Sequence, residues 1–365
     1  MRQRRSGPRV ADRPKAVLDH VGLLSRKQPF TACAINIRGN LDHMSMQKKL
    51  SFHLALICLL VVPAADARSA EPGYSPNVTT WEEIRVPPAD ENPERVVWDY
   101  ASDYSKLYWR VYLDHGQPRA ALGEGPDEVR QSSDRPPFEP KADEFVGANR
   151  FALVNDGWLV GFNHGEFGAA LYWFSRDGRR HYLISNDHVV TFFTRPDGIY
   201  AIEGMAHMGA SCGSLIRVVR ATKKGRWQAE RFVRLPFAPD TIALQRNGNM
   251  IIALSDSLVS VTPDGHVTTL IADAPWWTLS PATSVILPDD SKLYLGMTQY
   301  VGEVDLTTNK LRMLVPSKEF LNKLPDDDER RLRTLYTHGM SHGGLPADFC
   351  ERMEERAKAR SLKQH

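Results

Sequence analysis

Cysteine, long apolar runs and short catalytic motifs are all scarce in this sequence. Of four cysteines in 365 residues, only Cys212 and Cys350 follow residue 67, which excludes a small scaffold held together by many disulfides. The apolar run at residues 54–62 is well short of the roughly 20 residues that a membrane-spanning helix needs. Neither an HExxH motif nor a zinc-finger spacing is present, so no motif names a reaction.

Surplus positive charge is also missing from the larger part of the chain. Residues 68–365 hold 35 Lys and Arg against 40 Asp and Glu, a formal charge of −5, although the whole chain carries +2. Proteins that bind the phosphate backbone need a basic surface. We therefore expect no nucleic-acid partner.

Residues 44–67 have the three parts of a secretory signal peptide. Lys48 and Lys49 supply the basic start, residues 54–62 the apolar centre, and residues 65–67 (ADA) a cleavage site of small residues. We therefore expect a secreted or periplasmic protein with no membrane span once the signal is removed.

The signal-like segment begins 43 residues into the sequence. Signal peptides stand at the start of a protein, so residues 1–43 are expected to be a mis-annotated or disordered leader.

Without residues 1–67, the remaining cysteines are Cys212 and Cys350. They can pair in an oxidising compartment, or each can be a separate buried thiol. Their spacing favours neither outcome.

One pattern recurs four times between residues 155 and 315: an apolar strand, a tight turn, a second strand, a loop and another pair of strands joined by a turn. The first turns are at Asp156-Gly157, Asp197-Gly198, Asn247-Gly248 and Asp290-Ser291. The second turns are at Asp177-Gly178, Lys224-Gly225, Asp264-Gly265 and Asn309-Lys310. Asp-Gly and Asn-Gly pairs favour type I′ turns, whose central residues need positive φ. Spacings of 41, 50 and 43 residues between the first turns are typical of four-stranded propeller blades.

The sequence therefore predicts an all-β fold, a β-propeller of about five four-stranded blades, with a sixth blade left open. We expect an extended lead-in at residues 68–94, the propeller at 95–318 and a short helical tail at 319–365. In the tail, Pro325 and the acidic residues after it are typical of the first turn of a helix.

A degenerate fifth repeat is expected on the N-terminal side. Residues 95–100 (RVVWDY) read as a strand, and residues 114–122 resemble residues 163–171. The Pro-rich and acidic segment 123–143 is then expected to be a surface insertion.

Histidine recurs at the same position of three successive repeats, after the second strand. In a propeller, the loops after second strands share one face with the links between blades. We predict a ligand-binding face that carries His115, His164, Glu166, Asp187, His188, His207 and Asp240.

This face has several possible uses. Imidazoles and carboxylates together suit Zn²⁺, or Ca²⁺ where oxygen ligands dominate. Alternatively, the His-Gly pair recurs only to make a turn, with each ring bonded to a backbone carbonyl. The partner is open between a small molecule and a protein, and the role between ligand binding and metal-dependent hydrolysis.

Two adjacent indoles, Trp276 and Trp277, stand between the third and fourth repeats. Paired aromatic rings at such a link can stack on a sugar ring or a peptide, or they can fill the core of a blade. The sequence leaves both roles open.

The repeats resemble the NHL-like and gluconolactonase-like class of β-propellers. The resemblance is carried by the strand at residues 248–254 (GNMIIAL) and by the later motif at 264–267 (DGHV). It implies a propeller fold and, by analogy with lactonases, a Ca²⁺-type metal in the channel on Glu, Asn and Asp. Asn149 and Asp240 match the Asn and Asp by position, and no anchoring Glu is evident.

Overall fold

A computed structural model describes residues 74–337, except 89–91, 126–134, 208–209, 221 and 223–224. Strands dominate these residues. Three come first: β1 (Glu82–Ile84), β2 (Tyr108–Asp114) and β3 (Gln117–Gly123). The helices are α1 (Pro93–Asp103) and α2 (Asp326–Thr337), with short 3-10 turns at Val78–Thr80, Gly165–Phe167 and Lys318–Phe320.

Four antiparallel sheets follow, each made of four strands that are consecutive in the chain. Sheet I contains β4 (Arg150–Val154), β5 (Gly157–Asn163), β6 (Ala169–Ser175) and β7 (His181–Ser185). Sheet II contains β8 (Val189–Arg195), β9 (Gly198–His207), β10 (Ala210–Arg220) and β11 (Trp227–Leu235). Sheet III contains β12 (Pro239–Leu244), β13 (Met250–Leu254), β14 (Leu258–Val261) and β15 (Val267–Ile271). Sheet IV contains β16 (Thr283–Ile286), β17 (Lys292–Gly296), β18 (Val301–Asp305) and β19 (Lys310–Val315), and β1 adds a fifth strand beside β19.

The predicted repeat turns are confirmed. Asp156, Asp197, Asn247 and Asp290 all lie in the turn between the first and second strands of their sheets. Gly248 has φ of +86°, a value that glycine reaches without steric cost, which explains the Asn-Gly pair at this turn.

The four sheets are arranged side by side through their first strands. β4 contacts β8, β8 contacts β12, and β12 contacts β16, while β2 contacts the other side of β16. Apolar residues between neighbouring sheets form the core, for example Ile202 of sheet II with Ile252 of sheet III, both fully buried. Several four-stranded antiparallel sheets in this succession agree with the predicted propeller architecture.

The expected strand at residues 95–100 is wrong, because this segment belongs to helix α1. Asn92 caps the helix by accepting from the Glu94 amide at 2.9 Å, and Pro93 stands at its first turn. Trp98 of the helix stacks on Tyr300, which directly precedes β18 of sheet IV, with ring centroids 5.2 Å apart. The valines and aromatics of this segment therefore pack a helix onto the sheet instead of forming a strand.

The segment before sheet I is more than a surface insertion. Phe138, Ala142 and Phe145 pack on the buried aromatic face of sheet I, and Asp143 accepts a hydrogen bond of 2.7 Å from the Tyr172 hydroxyl. The C-terminal part of the predicted insertion thus covers a hydrophobic face.

The first helix of the predicted tail is confirmed as α2, with four acidic residues in its first turn. The second expected helix lies outside the described residues. No helix among residues 74–337, where the structure describes them, is long and apolar enough to cross a membrane.

Candidate functional site

A cavity of about 460 Å³ lies on the face formed by the loops after second strands and the links between sheets. Its walls come from the end of β5, the end of β9, the start of β12 and the link before β16. Asn163, His207, Asp240 and Trp277 are among the side chains that line it. Two of the predicted site residues, His207 and Asp240, therefore meet in one cavity.

Glu166 joins this pair through an ion pair. Its carboxylate lies against Nε2 of His207, and it reaches from the 3-10 turn after β5 to the end of β9. The side chains of His207 and Glu166 are 39% and 40% exposed, so solvent screens the pair and its contribution to stability is below about 1 kcal/mol. The contact fixes the orientation of the imidazole at the cavity wall.

His188 lies behind the cavity wall, where burial lowers the pKa of its imidazole. Its Nδ1 is 3.4 Å from Oδ1 of Asn163, and the same oxygen accepts from the Gly165 amide at 3.1 Å. The backbone carbonyl of His188 accepts from the Gly204 amide at 3.0 Å. His188 thus supports two lining residues, Asn163 and Gly204, as a neutral group.

His164 and Asp187 stabilise backbone and loop structure near the site and do not line the cavity. Nε2 of His164 is 2.9 Å from the Val146 carbonyl, the turn-capping role that the sequence left open. Asp187 accepts from the Ser185 hydroxyl at 2.6 Å. These two residues are on the expected face, but their described contacts are local.

His115 is not on this face. It lies in the β2–β3 turn with φ of +50°, and a Cβ at Gly116 would be 3.6 Å from Cγ of Pro288 in the β16–β17 turn. The sequence comparison aligned β2 with a second strand, but β2 lies beside β16 in the position of a first strand. The turn that follows it consequently belongs to the opposite face, where His115 has 95% of its side chain exposed.

β9 and β10 lie very close to the start of β12, and together they form one wall of the cavity. The sequence feature that permits this close approach is a pair of glycines. Gly204 and Gly213 are partners across β9 and β10. A Cβ at Gly204 would lie 2.6 Å from Cδ of Pro239, and one at Gly213 would lie 2.5 Å from it. Only glycine allows Pro239 to sit this close.

Ser211 connects the same region to sheet III. Its hydroxyl accepts from the Ala238 amide at 2.7 Å and is 2.8 Å from the Ser255 hydroxyl. The neighbouring Cys212 is disulfide-bonded. Every other cysteine of the chain lies outside the described residues, so pairing with Cys350 stays a prediction.

The two adjacent tryptophans have different roles. Trp276 is fully buried and donates from Nε1 to the Leu254 carbonyl at 2.7 Å. Trp277 is 46% exposed and lines the cavity. One indole fills the core and the other is available to a ligand.

A Zn²⁺ or Ca²⁺ site was one of the uses that the sequence left open for this face. Among the residues that the structure describes, no group of three or more His, Cys, Asp or Glu side chains could hold a metal ion. Oδ1 of Asn149 is buried without a hydrogen-bond partner, yet it has no such group of ligands around it. The donor set for Zn²⁺ or Ca²⁺ is therefore incomplete in this part of the chain.

No family model and no curated protein matches this sequence. Several solved structures are similar in fold. A nidogen/laminin complex matches at 10% identity over 49% of this chain and 67% of that chain, with a TM-score of 0.34. A streptogramin B lyase matches at 19% identity over 46% and 54%, with a TM-score of 0.31. A gluconolactonase from Xanthomonas campestris matches at 13% identity over 46% and 56%, with a TM-score of 0.31.

The chain thus spans little more than half the length of the matched lyase and gluconolactonase. The presence of gluconolactonases among the similar structures confirms the resemblance predicted from the repeats. With TM-scores below 0.5, these similarities assign no activity. The four-stranded antiparallel sheets are observed in this chain itself.

Proposed function

We propose that this protein binds a small polar ligand in the cavity between the ends of β5 and β9 and the start of β12. The observation that carries the proposal is the cavity itself, about 460 Å³ in volume and lined by Asn163, His207, Asp240 and Trp277. This volume is in the range of small-molecule sites, roughly 300–1,000 Å³. The lining is rich in polar groups, which offer hydrogen-bonding partners to a polar ligand.

Each polar residue has a defined part in this proposal. Glu166 holds the His207 ring through Nε2, so Nδ1 is the nitrogen through which His207 would contact a ligand. The Asn163 amide is oriented by its bonds to Gly165 and to the Val189 carbonyl, the latter at 3.4 Å. Such preorganisation reduces the entropy that is lost on binding.

Calorimetric titration with three probes of different charge tests the proposal: glucose, choline and acetate. We expect at least one to bind, and His207→Ala to weaken that binding about tenfold or more, since alanine removes a polar anchor of the cavity. His115→Asn is the matched control, because His115 is on the opposite face and asparagine tolerates its positive φ. Equal loss in both variants would contradict the assignment of the cavity.

The same protein serves to test the hydrolase alternative. Hydrolysis of gluconolactone with and without added Ca²⁺ would show turnover if the protein were a metal-dependent lactonase. We expect no turnover above background, because the described residues gather no set of metal ligands. Calcium-dependent turnover that His207→Ala abolishes would replace the binding role by a catalytic one.

A secreted or periplasmic location belongs to the same proposal. The signal-like order of residues 44–67 supports it, and so does the disulfide at Cys212, since disulfides persist in oxidising compartments. We expect N-terminal sequencing of exported protein to begin near Arg68, with residues 1–43 dispensable. A mature chain that retains residues before Lys48 would contradict this.

The proposed architecture is a ring of five blades with β2 and β3 in the fifth position. The first strands of the four sheets contact one another in the order β4, β8, β12 and β16, and β2 contacts β16. This arrangement supports a fifth blade that begins with β2. Closure of the ring would bring β2 near β4, and a pair of spin labels on these two strands would measure that distance.

A further inference from the structure

The 3-10 turn after β5 places an exposed aromatic side chain beside the cavity. Gly165 of this turn lines the cavity, and Phe167 follows two residues later in the same turn. Among the residues that the structure describes, Phe167 has the most exposed large hydrophobic side chain, at 78%. Residues two apart in a 3-10 turn have Cα atoms about 5 Å apart, so the phenyl ring is within reach of the cavity mouth.

Backbone hydrogen bonds hold Phe167 in this position. Its amide donates to the His164 carbonyl at 3.3 Å. Gly168 closes the turn, since its amide donates to the Gly165 carbonyl at 3.1 Å and its carbonyl accepts from the His164 amide at 3.0 Å. Gly165 and Gly168 have φ of +58° and +119°, values that glycine adopts without steric cost. A well-bonded turn therefore presents the phenyl ring to solvent at the edge of the cavity.

Two further apolar side chains are exposed near the same cavity. Val146 is 52% exposed, and its carbonyl is 2.9 Å from Nε2 of His164, which places it next to the turn. Trp277 is 46% exposed and lines the cavity from the link before β16. We call Val146, Phe167 and Trp277 the apolar rim. Exposed apolar side chains bordered by polar residues are typical of ligand-binding grooves.

We propose that the ligand of this cavity is an amphiphile, whose polar head enters the cavity and whose alkyl or aryl group contacts the apolar rim. This inference rests on the proposed binding function and names the class of ligand for it. Contact between an apolar group and the rim removes the surfaces of both from water, which favours binding. The inference depends on the exposed apolar side chains and not on the charge of the cavity.

A single amphiphile molecule suits the rim better than a membrane surface does. Glu166 lies between Gly165 and Phe167, and its side chain is 40% exposed. Insertion of the rim into a bilayer would remove this carboxylate from water, at a cost in free energy. Residues 68–365 also carry a formal charge of −5, which anionic lipids repel.

Calorimetric titration can compare each probe of the binding test with a derivative that carries an octyl chain. The pairs are glucose with octyl glucoside, choline with N-octylcholine and acetate with decanoate, all below the concentrations at which micelles form. For a probe that binds, we expect its octyl derivative to bind about tenfold or more tightly, since the burial of about two methylene groups suffices for this factor.

Three variants locate the contact with the octyl chain. Phe167→Ser should remove most of the gain and leave the affinity of the unsubstituted probe unchanged, because Phe167 is on the rim and not in the lining. Trp277→Ala should also reduce the gain. Leu153→Ser is the matched control: Leu153 is 50% exposed on β4, next to the turn on the opposite face, so the gain should stay the same. Phe167→Ser and Leu153→Ser replace exposed side chains, so their thermal midpoints should stay close to that of the unchanged protein.

The outcomes separate this inference from the function on which it rests. Equal affinities with and without the octyl chain overturn the amphiphile inference and leave the binding function intact. A gain that persists in Phe167→Ser, or that Leu153→Ser removes equally, also overturns it. Failure of all six compounds overturns both proposals. Sedimentation with phosphatidylcholine vesicles that Phe167→Ser abolishes would replace the single amphiphile by a membrane surface.

Discussion

Glu303 is the centre of a buried ion network in sheet IV, and replacing it should destabilise the fold. Its side chain is 6% exposed and accepts from the Tyr294 hydroxyl at 2.7 Å, from Lys292 Nζ at 3.1 Å and from Arg312 Nη1 at 3.0 Å. Arg312 also pairs with Glu83 of β1 at 2.8 Å. The network thus holds β1 on the outer edge of the sheet.

Glu303→Gln keeps the shape of the side chain and removes its charge. It also replaces one acceptor oxygen by an amide donor, which then faces either the Tyr294 hydroxyl or the two donors Lys292 and Arg312. Hydrogen bonds to a charged group contribute about 1.5–3 kcal/mol each. Lys292 and Arg312 are 35% and 36% exposed, so each regains water when its bond weakens. We therefore expect a net loss of about 2 kcal/mol in the free energy of unfolding.

Chemical denaturation measures this loss, and Glu83→Gln is the control. Glu83 is 48% exposed, so its substitution should cost below about 1 kcal/mol. The reasoning is refuted if the two variants lose equal stability at neutral pH.

The pH dependence gives a second check on Glu303. Burial raises the pKa of its carboxyl, and the bonds from Tyr294, Lys292 and Arg312 more than offset this, so the pKa lies below its ordinary value of 4.5. A carboxyl with a depressed pKa stabilises the fold above the unfolded pKa, and this contribution is lost as the pH falls through the folded pKa. The difference between the unchanged protein and Glu303→Gln should therefore shrink below about pH 4.5.

Three further predictions concern the surroundings of the cavity. Peptide mapping without reduction should find Cys212 linked to Cys350, and a link to any other cysteine, or none, would contradict this. Gly204→Ala should lower the free energy of unfolding by about 2 kcal/mol, since its Cβ would lie 2.5 Å from the Cys212 carbonyl oxygen, whereas Gly125→Ala, with nothing within 4 Å, should be neutral. An NMR titration should give His188 a pKa below its ordinary value of 6.5; because its folded pKa is depressed by burial, its contribution to stability is lost as the pH falls below about 6.5.

The repeat turns could be predicted from sequence because their chemistry is local. An Asp-Gly or Asn-Gly pair determines a tight turn within four residues, whatever surrounds it. Asn247 and Gly248 therefore gave both the turn and its position between β12 and β13. The spacing between such turns was then enough to predict the four-stranded sheets.

Neither helix α1 nor the position of β2 could be predicted from the local sequence, because both depend on contacts with distant parts of the chain. Val96, Val97 and Trp98 have the composition of a strand, and their helical state depends on the Asn92 cap and on packing against Tyr300, about 200 residues away in sequence. The position of β2 as a first strand depends on its neighbour β16, which no local pattern reveals. The misplacement of His115 follows from that one missing contact.

The sequence predicted only part of the cavity lining. The sequence placed His207 and Asp240 on one face because the strand order determines faces. It could not distinguish Trp276 from Trp277, since the burial of Trp276 depends on its hydrogen bond to the Leu254 carbonyl and on its packing in the apolar core. Side-chain roles at a site depend on such distant partners more than on residue type.

The pairing of β1 with β19 has a consequence for how the chain is assembled. Glu82 is opposite Val315, so this contact closes a loop of more than 200 residues and can form only after the last sheet has been synthesised. After β19 is formed and before β1 pairs with it, the outer edge of β19 presents unpaired amide and carbonyl groups, which can pair with strands of other molecules. The three residues of β1 thus protect the last sheet from self-association, and a chain that lacks them should fold its sheets yet aggregate through that edge.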